Sequence, residues 1–392
     1  MNKDNWHPQT KAIRLRGPQT LQHEHSSPMY LTSSFTFDDA DTMRGAFTEE
    51  NDENIYSRYS NPTVDEFTNK MVALEGAEAG FATASGMAAV FASIFPLLKA
   101  GDHLLCCSSV FGSTFTIVTK YFPRYGIEYT LVAANDKEAW EKAVKPNSKM
   151  IYLETPTNPQ LEVLDLEWMG QFAKQYKLIL NVDNCFATPV LQLPIKFGAD
   201  LVVHSATKWI DGQGRVLGGV IVGKKELIRE IYLFCRNTGP TLSAFNAWVL
   251  SKSLETLDVR MERHCKNALA VATAMEGNDK ISWVKYPFLP SHPQYEIAKK
   301  QMTAGGGILC FELKGGIESG RRFLDSLELL SMTPNLGDSR SIASHPASTT
   351  HSKLTEEERL AVGITPGLIR ISTGLEHVDD IIADIKQALE KA

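Results

Sequence analysis

Beyond the segment GFATASG (80–86), the chain presents six short runs: DHLLCC, IEYTLVA, KMIYLETP, LILNVDN, ADLVVHS and GGVIVG. They are apolar at consecutive rather than alternate positions, so each must be covered on both faces. Amphipathic stretches such as LEWMGQFAKQYK lie between several of them and can supply that cover. This order predicts a mostly parallel sheet with helices on both sides. Near residue 245 the pattern changes to one long helical segment, FNAWVLSKSLETLDVRMERHCKNALAVATAM. Strands GGGILCFEL and GLIRIST then alternate with helices to the end. At 392 residues the chain exceeds what a single core usually serves. We read a large α/β domain over 61–245 and a smaller α+β domain over 246–392. Residues 1–60 are polar and punctuated by Gly and Pro, which predicts an extended arm.

Charge and cysteine usage narrow the function classes. A formal net charge of −6 with mixed signs offers no basic field for nucleic acid. No apolar run is long enough to span a bilayer, and the N-terminus MNKDNWHPQTKAIRLRGPQT lacks the apolar centre of a secretory signal. The six cysteines include one adjacent pair, Cys106 and Cys107, but no CxxC spacing. That pattern predicts a reduced, cytoplasmic protein without a metal site.

Ligands of open α/β sheets gather at the carboxyl ends of the strands. Polar residues of three segments fall there. In FATASGMAAVFASIF a strand passes through Ser85-Gly86-Met87 into an apolar helix, whose free N–H groups and dipole favour an anion. Taken alone, Ser85 reads as an ordinary helix cap. Asp183 closes LILNVDN, where a buried carboxylate needs a cation or donors, although a turn-forming aspartate fits the same position. Glu154 and Asn158, in IYLETPTNP, read as a structural turn.

Lys208 is the position a surface-loop reading explains least well. It follows the apolar strand in ADLVVHSATKWIDGQGRVLGG, with Ser205 and Thr207 beside it and Gly212, Gly214, Gly218 and Gly219 behind it. The glycines permit close backbone approach. An anion cradle, an acid for a pyridinium nitrogen and a lysine amine together are what pyridoxal phosphate requires of a protein. The GQGRVLGG segment lacks the G-x-G-x-x-G spacing of a dinucleotide site.

Seven motifs occur in order along the chain: YSRYSNPT, SGMAA, ETPTNP, VDNCFATP, HSATKWIDGQ, HPASTTH and IRISTGLE. With them the sequence resembles, end to end, the Cys/Met-metabolism family of pyridoxal-phosphate enzymes. The resemblance implies fold type I, the aspartate-aminotransferase-like architecture. VFGST, DNCFATP, DGQGRVLGG and GPTLSAFNAW look most like the O-succinylhomoserine sulfhydrylases within the family. Residue by residue, it implies that Lys208 carries the cofactor as an imine and shuttles protons, and that Asp183 keeps the pyridine nitrogen protonated. It implies that Ser85, Gly86, Met87, Ser205 and Thr207 hold the phosphate, with Tyr56 and Arg58 reaching it from a neighbouring subunit. Arg370, assisted by Asn335, would take the substrate carboxylate. The implied assembly is a homotetramer of two active-site-sharing dimers.

Two departures bear on the chemistry. Phe111 stands where most of the family has tyrosine, so it can stack on the cofactor ring but cannot exchange a proton. Cys185 replaces a commoner threonine, for which a small buried residue is the simplest account. The expected reaction is γ-replacement: protons leave Cα and Cβ, the acyl carboxylate leaves Cγ, sulfide adds there, and the protons return to Cβ and Cα to give homocysteine. An acetyl donor, cysteine as nucleophile (cystathionine γ-synthase) and a γ-lyase remain alternatives, as does a catalytically silent binding protein on the same fold.

Overall fold

The computed structural model describes residues 5–349, 352, 355–361 and 363–392. Seven strands form the first sheet: β1 (Ala79–Thr83), β2 (His103–Cys107), β3 (Glu128–Val132), β4 (Ser148–Glu154), β5 (Ile179–Asp183), β6 (Leu201–Ser205) and β7 (Gly219–Gly223). Their order is β1-β7-β6-β5-β4-β2-β3. All six sequence runs become strands. Strands β2 to β6 pair in parallel, and β7 alone runs against both its neighbours. Every residue of β2 and β7 is buried, as a sheet covered on both faces requires.

Strand alternation assigns the two faces. Asn181 and Asp183 share one, and helix Gly86–Ile94 lies on it: Asn181 Nδ2 donates to Ser93 Oγ at 2.8 Å. His204 projects to the other, where helix Pro62–Glu75 brings Glu75 to its ring at 2.7 Å.

The second sheet contains β8 (Ile281–Lys285), β9 (Ile308–Leu313), β10 (Ser331–Met332), β11 (Ile342–Ser344) and β12 (Leu368–Ser372), in the order β10-β11-β12-β9-β8. All its pairings are antiparallel except β10 with β11. Ile369 and Ile371 join Phe311, Phe323 and Ile385 in a core under helices Gly316–Asp325 and Val378–Lys391. Leu368 instead joins the core of the first sheet. Arg370 alternates with the isoleucines and therefore points the same way as Leu368, out of the second core.

Two sequence expectations are refined. The segment 245–275 forms two helices, Ala244–Leu254 and Leu257–Met275. At the break the Ser253 carbonyl accepts from Arg260 Nη2 at 3.0 Å and from the Thr256 hydroxyl at 3.3 Å, partners that compete with continued helix. The N-terminal arm is not extended throughout. It contains helices Pro8–Arg14 and Ala40–Phe47, and Ala12 is buried in the core of its own chain.

Candidate active site

Lys208 lies in the turn that follows β6. Its amide donates to the Ser205 carbonyl at 3.3 Å, and its carbonyl accepts from the Gly212 amide at 2.8 Å. Gly337, at φ 76°, packs onto this turn so closely that a Cβ there would lie 2.9 Å from the Lys208 carbonyl carbon. The half-buried Nζ donates to Asn335 Oδ1 at 2.6 Å. Burial pushes the amine's pKa below its ordinary value; Cys185 opposes that shift and the charge of Arg370 adds to it.

Asp183, at the end of β5, is buried. It accepts from the Cys185 amide at 3.0 Å and from the Tyr152 hydroxyl at 3.3 Å. Burial pushes its carboxyl up, and among the described residues no cation lies within ion-pair distance of it. Glu154, adjacent to it across β4 and β5, is raised for the same reason and further by the Asp183 charge. Its carboxylate accepts the Phe111 amide at 2.9 Å, which fixes the start of the short helix Gly112–Thr116 and leaves the Phe111 ring 44% exposed.

Ser85 Oγ accepts the Ala88 amide at 3.2 Å and caps helix Gly86–Ile94, with Met87 in its first turn. A Cβ on Gly86 would lie 2.6 Å from Ser205 Oγ, so the helix start and the end of β6 touch. The glycine makes that approach possible. Thr207 Oγ1 accepts the Gly218 amide at 3.1 Å on the same rim.

Arg370 comes from the middle of β12, between Cys310 of β9 and Ser344 of β11. Its Nη1 donates to Asn158 Oδ1 at 3.0 Å, and its Nη2 to the Asn335 and Pro334 carbonyls at 3.0 and 3.3 Å. Nε is buried without a partner among the described residues, and burial lowers the group's pKa to about 10. Asn335 thus bridges Lys208 and Arg370, its side chain to one and its carbonyl to the other.

Tyr56 and Arg58 have their contacts within this chain: Tyr56 bridges to Ser34, and the Arg58 carbonyl accepts from Thr241 Oγ1 at 3.2 Å. Arg58 lies over the Tyr59 ring at 4.9 Å and donates to the Arg236 carbonyl. Among the described residues, no hydrogen bond joins either residue to Lys208, Ser85 or Asp183. The Thr350-His351 end of the HPASTTH motif lies outside the described residues.

Two contributors were missed in the sequence. Asn158 reads there as a turn residue yet orients Arg370. Tyr152 reads as core yet donates to Asp183, and its spacing of two from Glu154 places both on one face at the end of β4.

Residues 9–390 match the family described as Cys/Met metabolism PLP-dependent enzyme. An O-succinylhomoserine sulfhydrylase of Pseudomonas aeruginosa is 46% identical over 97% of this chain and 94% of its own length. An L-methionine gamma-lyase of Fusobacterium nucleatum is 43% identical over 97% and 98%. A crystal structure from Campylobacter jejuni, described as an O-acetylhomoserine (thiol)-lyase with N'-pyridoxyl-lysine-5'-monophosphate, superposes with a TM-score of 0.94. It is 36% identical and covers 98% of this chain and 100% of its own.

Proposed function

Because the chain belongs to the Cys/Met metabolism family of pyridoxal-phosphate-dependent enzymes, we propose that it joins sulfide to Cγ of O-succinylhomoserine, forming homocysteine and releasing succinate. The carrying observation is that Asn335 links an amine depressed by burial to a buried guanidinium with a free Nε. Those groups suit an α-amino acid.

The chain's own groups fit the cofactor. Asp183 is a buried acceptor lacking a cation, which a pyridinium N–H would supply. The Ser85-Gly86-Met87 helix start, with Ser205 and Thr207 on its rim, presents donors to a phosphate. Phe111 exposes a ring face able to stack. Bound pyridoxal phosphate supplies an electron sink for the charge left at Cα.

The remaining work falls to side chains. Arg370 holds the substrate carboxylate through its guanidinium, with the unpartnered Nε as the uncommitted donor, a planar fork that an ammonium cannot replace. Asn158 and the Asn335 carbonyl keep the fork in plane with it. Lys208, whose lowered pKa leaves more of it as free amine near neutrality, takes the Cα proton and serves the proton transfers at Cβ. Each positioned transfer contributes on the order of 10²- to 10⁴-fold. Phe111 has no hydroxyl, so the departing succinate receives no proton from that position.

Tyr56 and Arg58 serve a neighbouring subunit's phosphate in this reading, within a homotetramer of two site-sharing dimers. Exposed apolar arm residues support it, Leu21 at 94% and Leu31 at 67%. A cytoplasmic setting accords with six unpaired cysteines. No helix of the described residues is long and apolar enough to cross a membrane.

Sulfide is partly ionised at neutral pH, whereas a cysteine thiol with pKa about 8.5 is mostly protonated and brings two charged groups needing partners. The test supplies O-succinylhomoserine, or its acetyl counterpart, with sulfide and cysteine at equal concentration and counts products by mass spectrometry. Homocysteine should dominate, with the succinyl ester the faster donor. Cystathionine in excess would promote the synthase. Mainly 2-oxobutanoate would promote the lyase, the second reading, which the 43% identical relative favours.

A further inference from the structure

On the face of the first sheet opposite the cofactor residues, a buried polar network joins the ends of three strands. Glu75, fully buried at the last turn of helix Pro62–Glu75, accepts through Oε1 from His204 Nε2 at 2.7 Å and from Asn184 Nδ2 at 3.0 Å. His204 directly precedes Ser205, and Asn184 directly follows Asp183. Asn184 also donates to the Gln192 carbonyl at 2.9 Å. Gln192 Nε2 in turn donates to Asn184 Oδ1 and to the Thr155 carbonyl beyond β4, both at 2.9 Å.

This arrangement carries a cost that packing alone does not explain. A carboxylate and an imidazole are removed from water together, and Glu75 Oε2 and His204 Nδ1 are left buried without partners among the described residues. Apolar residues of similar volume would often be as stable or more so. Here the β5–β6 ladder makes its last bond, from the Asn184 amide to the Val203 carbonyl at 3.0 Å; Asp183 and Ser205 share the cofactor face, and one oxygen bonds both strand ends from behind.

We infer that Glu75 and His204 are a positioning pair that fixes the separation of the β5 and β6 ends, and thereby aligns Asp183 with the cofactor's ring nitrogen and Ser205 and Lys208 with its other end. Electrostatics act in the same sense: burial pushes the Asp183 carboxyl up, and the Cys185 amide and the field of His204 oppose that rise. The inference rests on Asp183 and Lys208 holding the cofactor.

The test uses holoenzyme and two readouts besides activity: the induced circular dichroism of the cofactor band, and the rate of cofactor loss to a carbonyl scavenger. Glu75→Ala should speed loss at least about tenfold and diminish the dichroism, a typical consequence of removing an outer-shell partner. Glu75→Gln keeps an acceptor oxygen and should restore most of both signals. His204→Gln, which keeps a donor, should likewise exceed His204→Leu, and this pair answers the question if Glu75→Ala does not fold. Met71→Ala, fully buried one turn earlier on the same helix, controls for lost stability. It should lower the melting temperature without altering the dichroism. If Glu75→Ala and His204→Leu change neither signal more than Met71→Ala does, the positioning role is overturned. A wild-type holoenzyme with no induced band would instead overturn the underlying site assignment.

Discussion

Lys208 leaves the first sheet past the end of β6, in a turn where its amine meets Asn335, whereas Arg370 is drawn from the middle of β12 with backbone pairing on both sides. The two cations share Asn335 and are treated oppositely. Lys208 has a short tether, partial exposure and a pKa pushed down by burial, conditions that favour a group that gains and loses protons. Arg370 stays charged even at a pKa lowered to about 10, and three of its hydrogen bonds are already made. Parallel strands release reactive groups at their ends, while an antiparallel strand holds a rigid binder along its length.

Changes to Lys208 should give the largest effects. Lys208→Ala removes a participant in several proton transfers, so kcat should fall about 10⁴-fold or more while substrate is still bound. A loss confined to KM would place the lysine on the binding side with Arg370. Arg370→Ala should lower kcat/KM about 10²- to 10³-fold, mainly through KM, since it truncates one partner of a buried charge pair. Arg370→Lys should recover little, because an ammonium cannot reproduce the fork. Full rescue by lysine would mean that charge rather than geometry binds the substrate.

Mixing subunits asks whether the pocket spans two chains. Arg58→Ala and Lys208→Ala oligomers should each be nearly inactive, and co-refolded mixtures should regain part of the wild-type rate. No recovery in verified mixed oligomers would place the arm in its own chain's site.

The smallest effect concerns the junction of the two sheets. His264 packs on Trp209, the residue after Lys208, at 4.7 Å between ring centroids, and its Nδ1 donates to the Thr373 carbonyl just past β12. Burial holds its pKa at about 4, and that of His292 likewise, against 6.5 ordinarily. As pH falls the unfolded chain binds these protons first. Their share of stability is therefore whole above about pH 6.5 and lost as pH falls toward 4. Melting temperature should decline across that window, and less steeply in His292→Gln. An unchanged slope would show that carboxylates dominate the acid response.

Much of the fold is legible in the sequence because runs apolar at every position leave a covered parallel sheet as the natural solution. Asp183 and Lys208 are visible as polar residues closing such runs. Arg370 is not, since mid-strand spacing in IRIST carries no sign of a pocket, and only the motif resemblance singles it out. Asn158 looks like turn chemistry until Arg370 is brought to it across 212 positions. The Glu75–His204 contact, spanning 129, is equally invisible to local pattern. The helix break at Glu255–Thr256 escapes notice because it depends on Arg260 bonding the Ser253 carbonyl, which an uninterrupted helical pattern does not reveal.

The account turns on which lysine bears the cofactor where the two sheets meet. Borohydride reduction of the holoenzyme, followed by proteolysis and mass mapping, should place a stoichiometric pyridoxyl group on the peptide containing Lys208 and nowhere else, with the visible band abolished at the same time. Stoichiometric label on another lysine, with Lys208 unmodified, would contradict the site from which every role described above is drawn.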